Sequence, residues 1–431
     1  SWEGHWMSVE KIDTLVVGAG QAGIALCEHL GQQGVSFLVL EKNRIAEAWR
    51  TSRWDALVTN GPVWHDRFPN LEFKGNAPDE FVSKDRVADY IEEYSDLVNA
   101  PVRTGVEVLS AVPFADRSGF RVETTDGVIE ATRIVSATGA FQQPIIPPIV
   151  AQDSEVHQMH STSYRNPEQL ADGSVMVVGA GSSGTQIADE LNRAGRKVFL
   201  SVGPHDRPPR RYRDRDFVWW LGVLGLWDLA AQKPGAEHVT ISVSGAYGGR
   251  TIDFRRLGGE GIELLGRTEN FDSGVLTFAD DVRKNIDAGD ANFNQMLDAA
   301  DAYADAMGLD LPLDPQAREA WPDPNSLIDP IRSLNLAAED ITTIIWATGY
   351  KQDFGWLKID AFDEKGAPIH QRGVSKEPGV YFLGLPWQSR RGSTFLWGVW
   401  HDAKFVADQI AIQRAYADYD GEAAIVPSAA E

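Results

Sequence analysis

Residues 15–23 read Leu-Val-Val-Gly-Ala-Gly-Gln-Ala-Gly, and residues 176–184 read Met-Val-Val-Gly-Ala-Gly-Ser-Ser-Gly. Each stretch follows a short apolar run typical of a β-strand and opens a segment with helical periodicity. In that context a Gly-x-Gly-x-x-Gly loop predicts a dinucleotide site, because its glycines permit a tight turn, close approach of the backbone to a pyrophosphate, and close packing of helix on strand. The doubled loop therefore predicts an α/β fold with two Rossmann-like dinucleotide-binding domains.

The residues expected to contact the dinucleotides lie in these loops and at the end of the next strand. In the first unit that strand, residues 36–40, ends at Glu41, whose carboxylate can accept hydrogen bonds from a ribose 2′-hydroxyl, as in FAD or NAD. The predicted cofactor-binding residues are Gly18, Gly20, Gln21, Ala22, Gly23 and Lys42 in the first unit, and Gly179, Gly181, Ser182, Ser183 and Gly184 in the second.

The second unit lacks the ribose carboxylate. Its position equivalent to Glu41 is Val202, and arginines follow at positions 207, 210, 211, 213 and 215. Because a guanidinium grips phosphate through its planar fork, Arg210 and Arg211 are predicted to bind the ribose 2′-phosphate of NADPH. The alternative is that these arginines only solvate a loop.

Composition narrows the class of protein. A chain of 431 residues is too long for one ordinary core, and its net charge of −22 argues against nucleic acid or an anionic membrane surface as a partner. The single cysteine, Cys27, allows no internal disulfide and no Cys-x-x-Cys motif, which argues against disulfide-reductase chemistry. Neither a signal peptide nor a membrane-spanning apolar run is recognisable, so a cytoplasmic protein is expected.

Five motifs resemble those of the class B flavin-containing monooxygenases, particularly a bacterial branch often labelled as flavoproteins involved in K+ transport. They are Gly-Ala-Gly-Gln-Ala-Gly at 18–23, Arg-Ile-Ala-Glu-Ala-Trp-Arg at 44–50, Gly-Ala-Gly-Ser-Ser-Gly at 179–184, Ala-Thr-Gly-Tyr at 347–350, and Gly-Val-Tyr-Phe-Leu-Gly-Leu-Pro-Trp at 379–387. The resemblance implies FAD in the first unit and NADPH in the second, with Trp49 and Arg50 among the FAD-binding residues. The transport label is not adopted, because no membrane segment is recognisable.

The NADPH domain is predicted to be inserted within the FAD domain. Residues 7–155 form the first part of the FAD domain, residues 165–335 form the NADPH domain with a helical, Trp-rich insertion, and residues 336–431 return to the FAD domain. Helical spacing predicts helices over 84–98, 281–308 and about 400–414. The crossings between domains are expected at two Ala-Thr-Gly segments that approach the cofactors, although both could be ordinary strand ends; their residues are Ala137, Thr138, Gly139, Ala347, Thr348, Gly349 and, beside them, Tyr350.

The resemblance implies a reaction between NADPH, O2 and a small organic substrate. NADPH would reduce FAD, O2 would form a flavin C4a-hydroperoxide, and one oxygen atom would pass to nitrogen or sulfur. The family's linker signature, Phe-x-Gly-x-x-x-His-x-x-x-Tyr/Phe/Trp, is matched by His160 and Tyr164 but has Ser154 and Val156 at its first two positions. Tyr rather than Trp at its end favours heteroatom oxygenation; the alternatives are Baeyer–Villiger oxygenation of a ketone, or an NADPH oxidase or flavin reductase that releases H2O2.

Two residues are predicted to be catalytic by this resemblance. Asn60, in Leu-Val-Thr-Asn-Gly-Pro at 57–62, would face the reactive edge of the flavin, or else serve the turn before Gly61. His160 would act as an acid, or else orient the linker as a hinge. The histidines lack metal-ligand spacing, so no metal is expected. The Trp-rich stretch from 217 to 228 could form a lid or simply pack, and a homo-oligomer is left open.

Overall fold

Alternating apolar strands and amphipathic helices build an α/β structure, which the computed structural model describes for residues 9–230 and 240–422. The strands are β1 (Glu10–Val17), β2 (Phe37–Glu41), β3 (Val102–Thr104), β4 (Val108–Pro113), β5 (Phe120–Thr124), β6 (Gly127–Ser136), β7 (Gln143–Pro144), β8 (His157–His160), β9 (Ser174–Val178), β10 (Val198–Ser201), β11 (His205–Asp206), β12 (Arg211–Tyr212), β13 (Arg215–Asp216), β14 (Thr240–Ile241), β15 (Glu263–Leu265), β16 (Thr268–Asp272), β17 (Val275–Phe278), β18 (Ser333–Asn335), β19 (Ile341–Trp346), β20 (Tyr350–Lys351), β21 (His370–Gln371), β22 (Val374–Ser375) and β23 (Val380–Phe382). The helices are α1 (Gln21–Gln32), α2 (Glu47–Thr51), α3 (Lys84–Leu97), α4 (Ser182–Arg193), α5 (Phe217–Val223), α6 (Phe254–Gly259), α7 (Val282–Ala306), α8 (Asn325–Ile328) and α9 (Leu396–Ala417).

The first glycine loop belongs to a nine-stranded sheet. Its path runs β21-β22-β23-β6-β1-β2-β3, and β4 and β5 form an antiparallel extension from β6. Strand β1 pairs in parallel with β2 on one side and with β6 on the other. The central strands are apolar on both faces because the sheet is covered on both sides, and α1, α3 and α9 pack together in one of the two flanking cores.

The second glycine loop belongs to a five-stranded, fully parallel sheet with the order β15-β10-β9-β19-β8. Every side chain of β9 is buried, as expected for a central strand of a doubly covered sheet. The glycine loop connects β9 to α4, just as the first loop connects β1 to α1. The two sheets therefore repeat the same strand–loop–helix unit.

The chain passes between the two sheets at positions that differ from the predicted domain boundaries. Residues 341–346 were predicted to lie in the FAD domain, but they form β19, which pairs with β9 inside the second sheet. Residues 157–160, outside the predicted NADPH domain, form β8 on the same sheet. Strand β19 resembles β6 in sequence because each is a parallel neighbour of the strand that leads into its sheet's glycine loop, β9 and β1 respectively. The return to the first sheet therefore follows β19, and β23 pairs with β6.

The three long helices predicted from periodicity are present as α3, α7 and α9. Helix α9 begins earlier than expected, at Leu396, because the turn 391–394 leads directly into it. It packs along α1, so the last helix of the chain covers the first helix of the first sheet. This packing brings the residues before α9 next to the first glycine loop.

Candidate functional site

The first glycine loop has the shape that a dinucleotide requires. Gly18 has φ +109°, and a Cβ there would collide with the carbonyl oxygen of Ala137. A Cβ on Gly23 would collide with the carbonyl oxygen of Gly18, so the third glycine lets α1 approach β1 closely. Gly20 faces open space, and no side chain caps the first turn of α1. The loop thus leaves room and backbone N–H groups for a pyrophosphate.

Glu41 lies where the first unit needs a ribose acceptor. Its Oε1 accepts a hydrogen bond from the backbone N–H of Ala19 (3.0 Å), and its Oε2 accepts one from Asn43 (2.8 Å). These bonds fix the carboxylate at the end of β2, beside the glycine loop. Lys42 is exposed to solvent. The loop and Glu41 together fit the adenosine half of FAD.

Gln21 connects the first loop to the turn before α9. Its Nε2 donates to the carbonyl oxygen of Thr394 (2.6 Å), and its Oε1 accepts from Trp49 Nε1 (3.1 Å). Arg50 instead pairs with Asp89 (3.2 Å) and Glu92 (2.8 Å) of α3. Trp49 thus lies beside the first glycine loop, whereas the guanidinium of Arg50 is directed to α3, and the FAD-binding role of both residues stays a prediction.

The second loop repeats the first one closely. Gly179 has φ +130°, and a Cβ there would collide with the carbonyl oxygen of Ala347, just as Gly18 faces Ala137. Gly184 lacks room for a Cβ against the carbonyl oxygen of Gly179. Each Ala-Thr-Gly segment therefore lies over its own glycine loop, at the carboxyl edge of its sheet. This is the edge at which doubly wound sheets bind their ligands.

A segment after β14 lies along the second loop. Ser182 Oγ donates to the carbonyl oxygen of Ile241 (2.8 Å) and accepts from the N–H of Val243 (3.1 Å). Ser242 Oγ also donates to the carbonyl oxygen of Ala180. No side chain caps α4, so its first N–H groups remain suited to a phosphate. The hydroxyl of Ser182, predicted to bind cofactor, is engaged by this segment.

Both ring nitrogens of His160 have backbone partners. Nε2 donates to the carbonyl oxygen of Gly349 (2.9 Å), and Nδ1 accepts from the N–H of Thr162 (3.1 Å). The side chain is buried, and burial lowers the pKa of the imidazole, which favours the neutral ring. This geometry gives no support to the predicted role as an acid. It instead connects the end of β8, at the edge of the second sheet, to the crossing after β19.

Asn60 accepts hydrogen bonds at two oxygen atoms, one of its side chain and one of its backbone. Its side-chain Oδ1 accepts from Gln186 Nε2 on α4 (3.1 Å), and its backbone oxygen accepts from Arg210 Nη1 (2.6 Å). Within the described residues the side-chain Nδ2 has no hydrogen-bond partner, so it can donate to a cofactor or substrate. Gln186 was missed at the sequence level, although its spacing of four from Ser182 places both on one face of α4.

The guanidinium of Arg210 is buried, and its three nitrogen atoms all donate to oxygen atoms of the protein, so it does not offer a pair of donors to a phosphate. It forms a two-point ion pair with Asp216, Nη2 to Oδ1 at 2.8 Å and Nε to Oδ2 at 3.0 Å. It also contacts Asn60, whereas the 2′-phosphate of NADPH lies at the far end of the coenzyme from its reactive ring. Arg211 is partly exposed and pairs with Asp79 and Asp214. The prediction for Arg210 is therefore corrected.

Another arginine lies where the second ribose is expected. Val202 is buried at the end of β10, and the space where Gly203 would carry a Cβ is 3.8 Å from Arg267 Nε. Ser201 Oγ donates to the carbonyl oxygen of Gly266 (2.6 Å), which fixes the neighbouring chain. Arg267 Nε lies 3.8 Å from Asp281 Oδ2, and the side chain is about half exposed. Its position after β15, the parallel partner of β10, is evident only from the sheet order.

The tryptophans of the insertion divide between two environments. Trp220 is fully buried and donates to the carbonyl oxygen of Tyr212 (2.9 Å), so it belongs to the insertion's own core. Trp227 stacks on His65 (ring centroids 5.2 Å apart) and meets Phe395 edge-on (4.9 Å). Its carbonyl oxygen accepts from the N–H of Gly392 (3.2 Å). Trp227 thus fastens the insertion to the turn that leads into α9.

Two further properties bear on the chemistry. Over residues 9–230 and 240–422, no helix is long and apolar enough to cross a membrane, and no group of three or more His, Cys, Asp or Glu side chains could hold a metal ion. Cys27 is buried in α1, donates to the carbonyl oxygen of Gly23 (3.2 Å), and has its pKa raised by burial. A buried, protonated thiol is a poor nucleophile for disulfide exchange.

Comparison with known proteins covers almost the whole chain. The family model described as pyridine nucleotide-disulphide oxidoreductase matches residues 15–221. A CzcO-like oxidoreductase of Geobacillus kaustophilus (strain HTA426) is 35% identical over 404 residues, 93% of this chain and 98% of that protein. The indole-3-pyruvate monooxygenase YUCCA1 of Oryza sativa subsp. japonica is 33% identical over 420 residues, 93% of this chain and 91% of that protein.

The fold is also found among solved structures. A mutant flavin monooxygenase from Stenotrophomonas maltophilia superposes with a TM-score of 0.65 at 19% identity, over 95% of this chain and 100% of that chain. This likeness extends over both sheets and the segments that join them. The arrangement of two glycine loops facing two Ala-Thr-Gly crossings is thus set within a fold of known type.

Proposed function

This chain belongs to the family of class B flavin-containing monooxygenases, and we propose that within it the enzyme oxygenates a small organic substrate at nitrogen or sulfur. It is a flavin-dependent oxidoreductase that uses FAD and NADPH. The family description mentions disulphide chemistry, but the only cysteine of this chain is buried in α1. A single buried cysteine cannot form a redox-active disulfide within the chain, so bound FAD would receive the electrons of NADPH without a disulfide of the protein as their acceptor.

The single observation that carries oxygenation itself is the placement of Asn60, whereas the preference for nitrogen or sulfur rests on Tyr164 at the end of the linker signature. Its Oδ1 is occupied by Gln186, which leaves Nδ2 as a fixed donor between the sheets. Bound FAD, once reduced, supplies the chemistry that activates O2. An amide N–H that faces the flavin edge can hydrogen-bond the oxygen atom to be transferred, because a fixed donor needs no reorganisation during the reaction.

The remaining residues bind, orient and exclude water. Glu41 and the first loop would hold FAD, and the second loop would hold NADPH. His160 bonds the end of β8 to Gly349 and thereby positions the crossing after β19, while its neutral ring adds no charge there. Trp227 covers the turn before α9 and limits the entry of water, which protects oxygenation from wasteful release of H2O2.

We propose Arg267 as the group that recognises the 2′-phosphate of NADPH. It stands beside Gly203, just past β10, where the ribose of a doubly wound fold is bound. No carboxylate occupies Val202 or Gly203, so nothing at that position would repel a phosphate. Arg267 lies next to Asp281, whose negative charge would compete with the phosphate for the guanidinium.

A second candidate function is oxygenation at a carbonyl carbon. It is favoured by one observation, because the relative from Oryza sativa is named for a 2-oxo acid, indole-3-pyruvate. The Baeyer–Villiger alternative shares this chemical class, in which an oxygen atom is added beside a carbonyl group. Asn60 and the two cofactor loops serve either reaction equally.

The test is a substrate panel scored by product mass. The purified holoenzyme is supplied with NADPH, isotopically labelled O2 and, separately, an amine, a thioether, a ketone and a 2-oxo acid. The proposal expects one labelled oxygen atom in the product of the amine or the thioether, in amounts close to the NADPH consumed. Labelled product from only the ketone or the 2-oxo acid would favour the second candidate. Formation of one H2O2 for each NADPH consumed with every substrate would refute both candidate functions.

A further inference from the structure

We infer that Arg210 is a positioning residue that holds Asn60 in place through the backbone, an inference that rests on the proposed role of Asn60. Nη1 of Arg210 donates to the carbonyl oxygens of Asn60 (2.6 Å) and Ser244 (3.1 Å). One guanidinium group thus bridges the loop that carries Asn60 and the segment that lies along the second glycine loop. Both segments lie outside the named strands, and the Asn60 loop is paired only up to Thr59, through a bridge of Val58 to Ser83 and a hydrogen bond of Thr59 to Val82.

The opposite edge of the same guanidinium is fixed by Asp216. The ion pair uses Nε and Nη2, so Nη1 is aimed in one direction only. The Arg210 and Asp216 side chains are 3% and 2% exposed, respectively. A buried ion pair contributes little net stability, because desolvation of both groups offsets their attraction. What it does supply is geometry, since the planar guanidinium orients several donors at once.

Two aromatic rings pack against the guanidinium. The ring centroid of Phe81 lies 4.6 Å from Arg210 Cζ, and that of Phe217 lies 4.5 Å away. Phe81 follows the Asn60 loop in the first sheet's region, whereas Phe217 begins α5 of the insertion. The cation therefore lies between the two halves of the protein rather than within one of them.

The backbone of residues 242–249 packs closely against the loop that carries Asn60. A Cβ on Gly245 would collide with the carbonyl oxygen of Thr59 and with the ring of Phe81. Gly249 has φ +87°, and a Cβ there would lie 3.1 Å from Arg210 Cδ. The segment from 242 to 249 thus packs directly against the Asn60 loop, and two side chains bond the two together. Arg210 does so through the backbone oxygens of Asn60 and Ser244, and Gln186 does so through the side-chain oxygen of Asn60 and the carbonyl oxygen of Val243.

Arg207 provides a matched control on the same loop. Its side chain is also buried (6% exposed), pairs with Asp290 (2.7 Å), lies over the ring of Phe293 (4.4 Å), and donates to the carbonyl oxygen of Ile252. None of these partners belongs to the Asn60 loop. Arg207→Met and Arg210→Met thus remove similar buried arginines, and only the second releases Asn60.

The experiment compares these variants as FAD-loaded, full-length proteins by hydrogen exchange of the peptide that spans residues 57–63. We expect exchange in this peptide to accelerate at least about tenfold in Arg210→Met and to stay within about twofold of wild type in Arg207→Met. Arg210→Lys keeps the charge beside Asp216 but loses the fork. It should fold, and it should also accelerate exchange in the peptide. Unchanged exchange in either Arg210 variant would overturn the inference.

A second readout connects the loop to the reaction. The amount of H2O2 formed per NADPH consumed should rise in Arg210→Lys. The KM for NADPH should stay within about twofold of wild type, because the Arg210 side chain makes no hydrogen bond to residues 179–184 of the second glycine loop. Combining Arg210→Lys with Asn60→Ala should raise H2O2 release no further than Asn60→Ala alone. Additive effects would overturn the inference. If wild type itself releases only H2O2, the proposed function fails, but the exchange comparison still decides the role of Arg210.

Discussion

The imidazole of His160 donates from Nε2 to the carbonyl oxygen of Gly349, 2.9 Å away, and so joins the end of an edge strand of the second sheet to the crossing that leaves this sheet. The bond spans from β8 on the second sheet to the chain that has just left β19. Because Nδ1 accepts from Thr162, the ring must be neutral and protonated at Nε2 for both bonds to form. Protonation of Nδ1 would break the second bond.

This relationship predicts a pH dependence of stability. The folded pKa of His160 is lowered by burial, so the unfolded chain takes up a proton first as the pH falls below the ordinary histidine value. The stabilising contribution is present at neutral pH and is lost as acid is added. We expect the melting temperature of wild type to fall between about pH 7.5 and about pH 5.5 more steeply than that of His160→Gln. Parallel slopes would show that His160 does not titrate between the two states.

The coenzyme assignment predicts a selective effect on NADPH. Removing Arg267 deletes a cation beside Gly203, so Arg267→Ala should raise the KM for NADPH about tenfold and that for NADH less than twofold. Arg211→Ala is the control, because Arg211 already pairs with Asp79 and Asp214. Steady-state kinetics with both coenzymes distinguish the two. An equal rise for NADPH and NADH, or a larger effect at Arg211, would remove Arg267 from the phosphate site.

The position of Trp227 predicts that its removal increases the release of H2O2 without slowing the reduction of the flavin by NADPH. Its ring lies against His65 and Phe395, and Trp227→Ala should admit water at the turn before α9. The fraction of NADPH that ends as H2O2 should then rise by about twofold or more, with flavin reduction by NADPH little changed. Trp219→Ala serves as the control, since Trp219 contacts Trp220 and Tyr303 inside the insertion. Equal H2O2 release in the two variants would exclude a water-excluding role for Trp227.

Local patterns made part of the site predictable from sequence. The two loops and Glu41 follow from the order strand, loop, helix, strand, in which every required residue lies within one supersecondary unit. The three long helices also follow from local periodicity. Such features need no knowledge of how distant parts of the chain meet.

The errors arose where partners are distant in sequence. Arg210 was assigned to phosphate by proximity to Val202, but its contact with Asn60 joins positions 150 apart. Arg267 was not predicted as a cofactor residue, because only the parallel pairing of β10 with β15 brings it close to Gly203. Strand β19 was placed in the wrong sheet since equivalent strands of two similar units carry similar sequences. Each of these facts depends on tertiary packing and has no local signal.

The central claim is that the side-chain amide of Asn60 directs oxygen to the substrate, and Asn60→Ala tests it most directly. The measurement is the amount of oxygenated product and of H2O2 formed per NADPH consumed, together with the rate of flavin reduction. The account predicts that reduction stays within about twofold of wild type while product falls at least about tenfold and H2O2 rises to match the NADPH used. Unchanged product per NADPH, or loss of bound FAD in this variant, would contradict it.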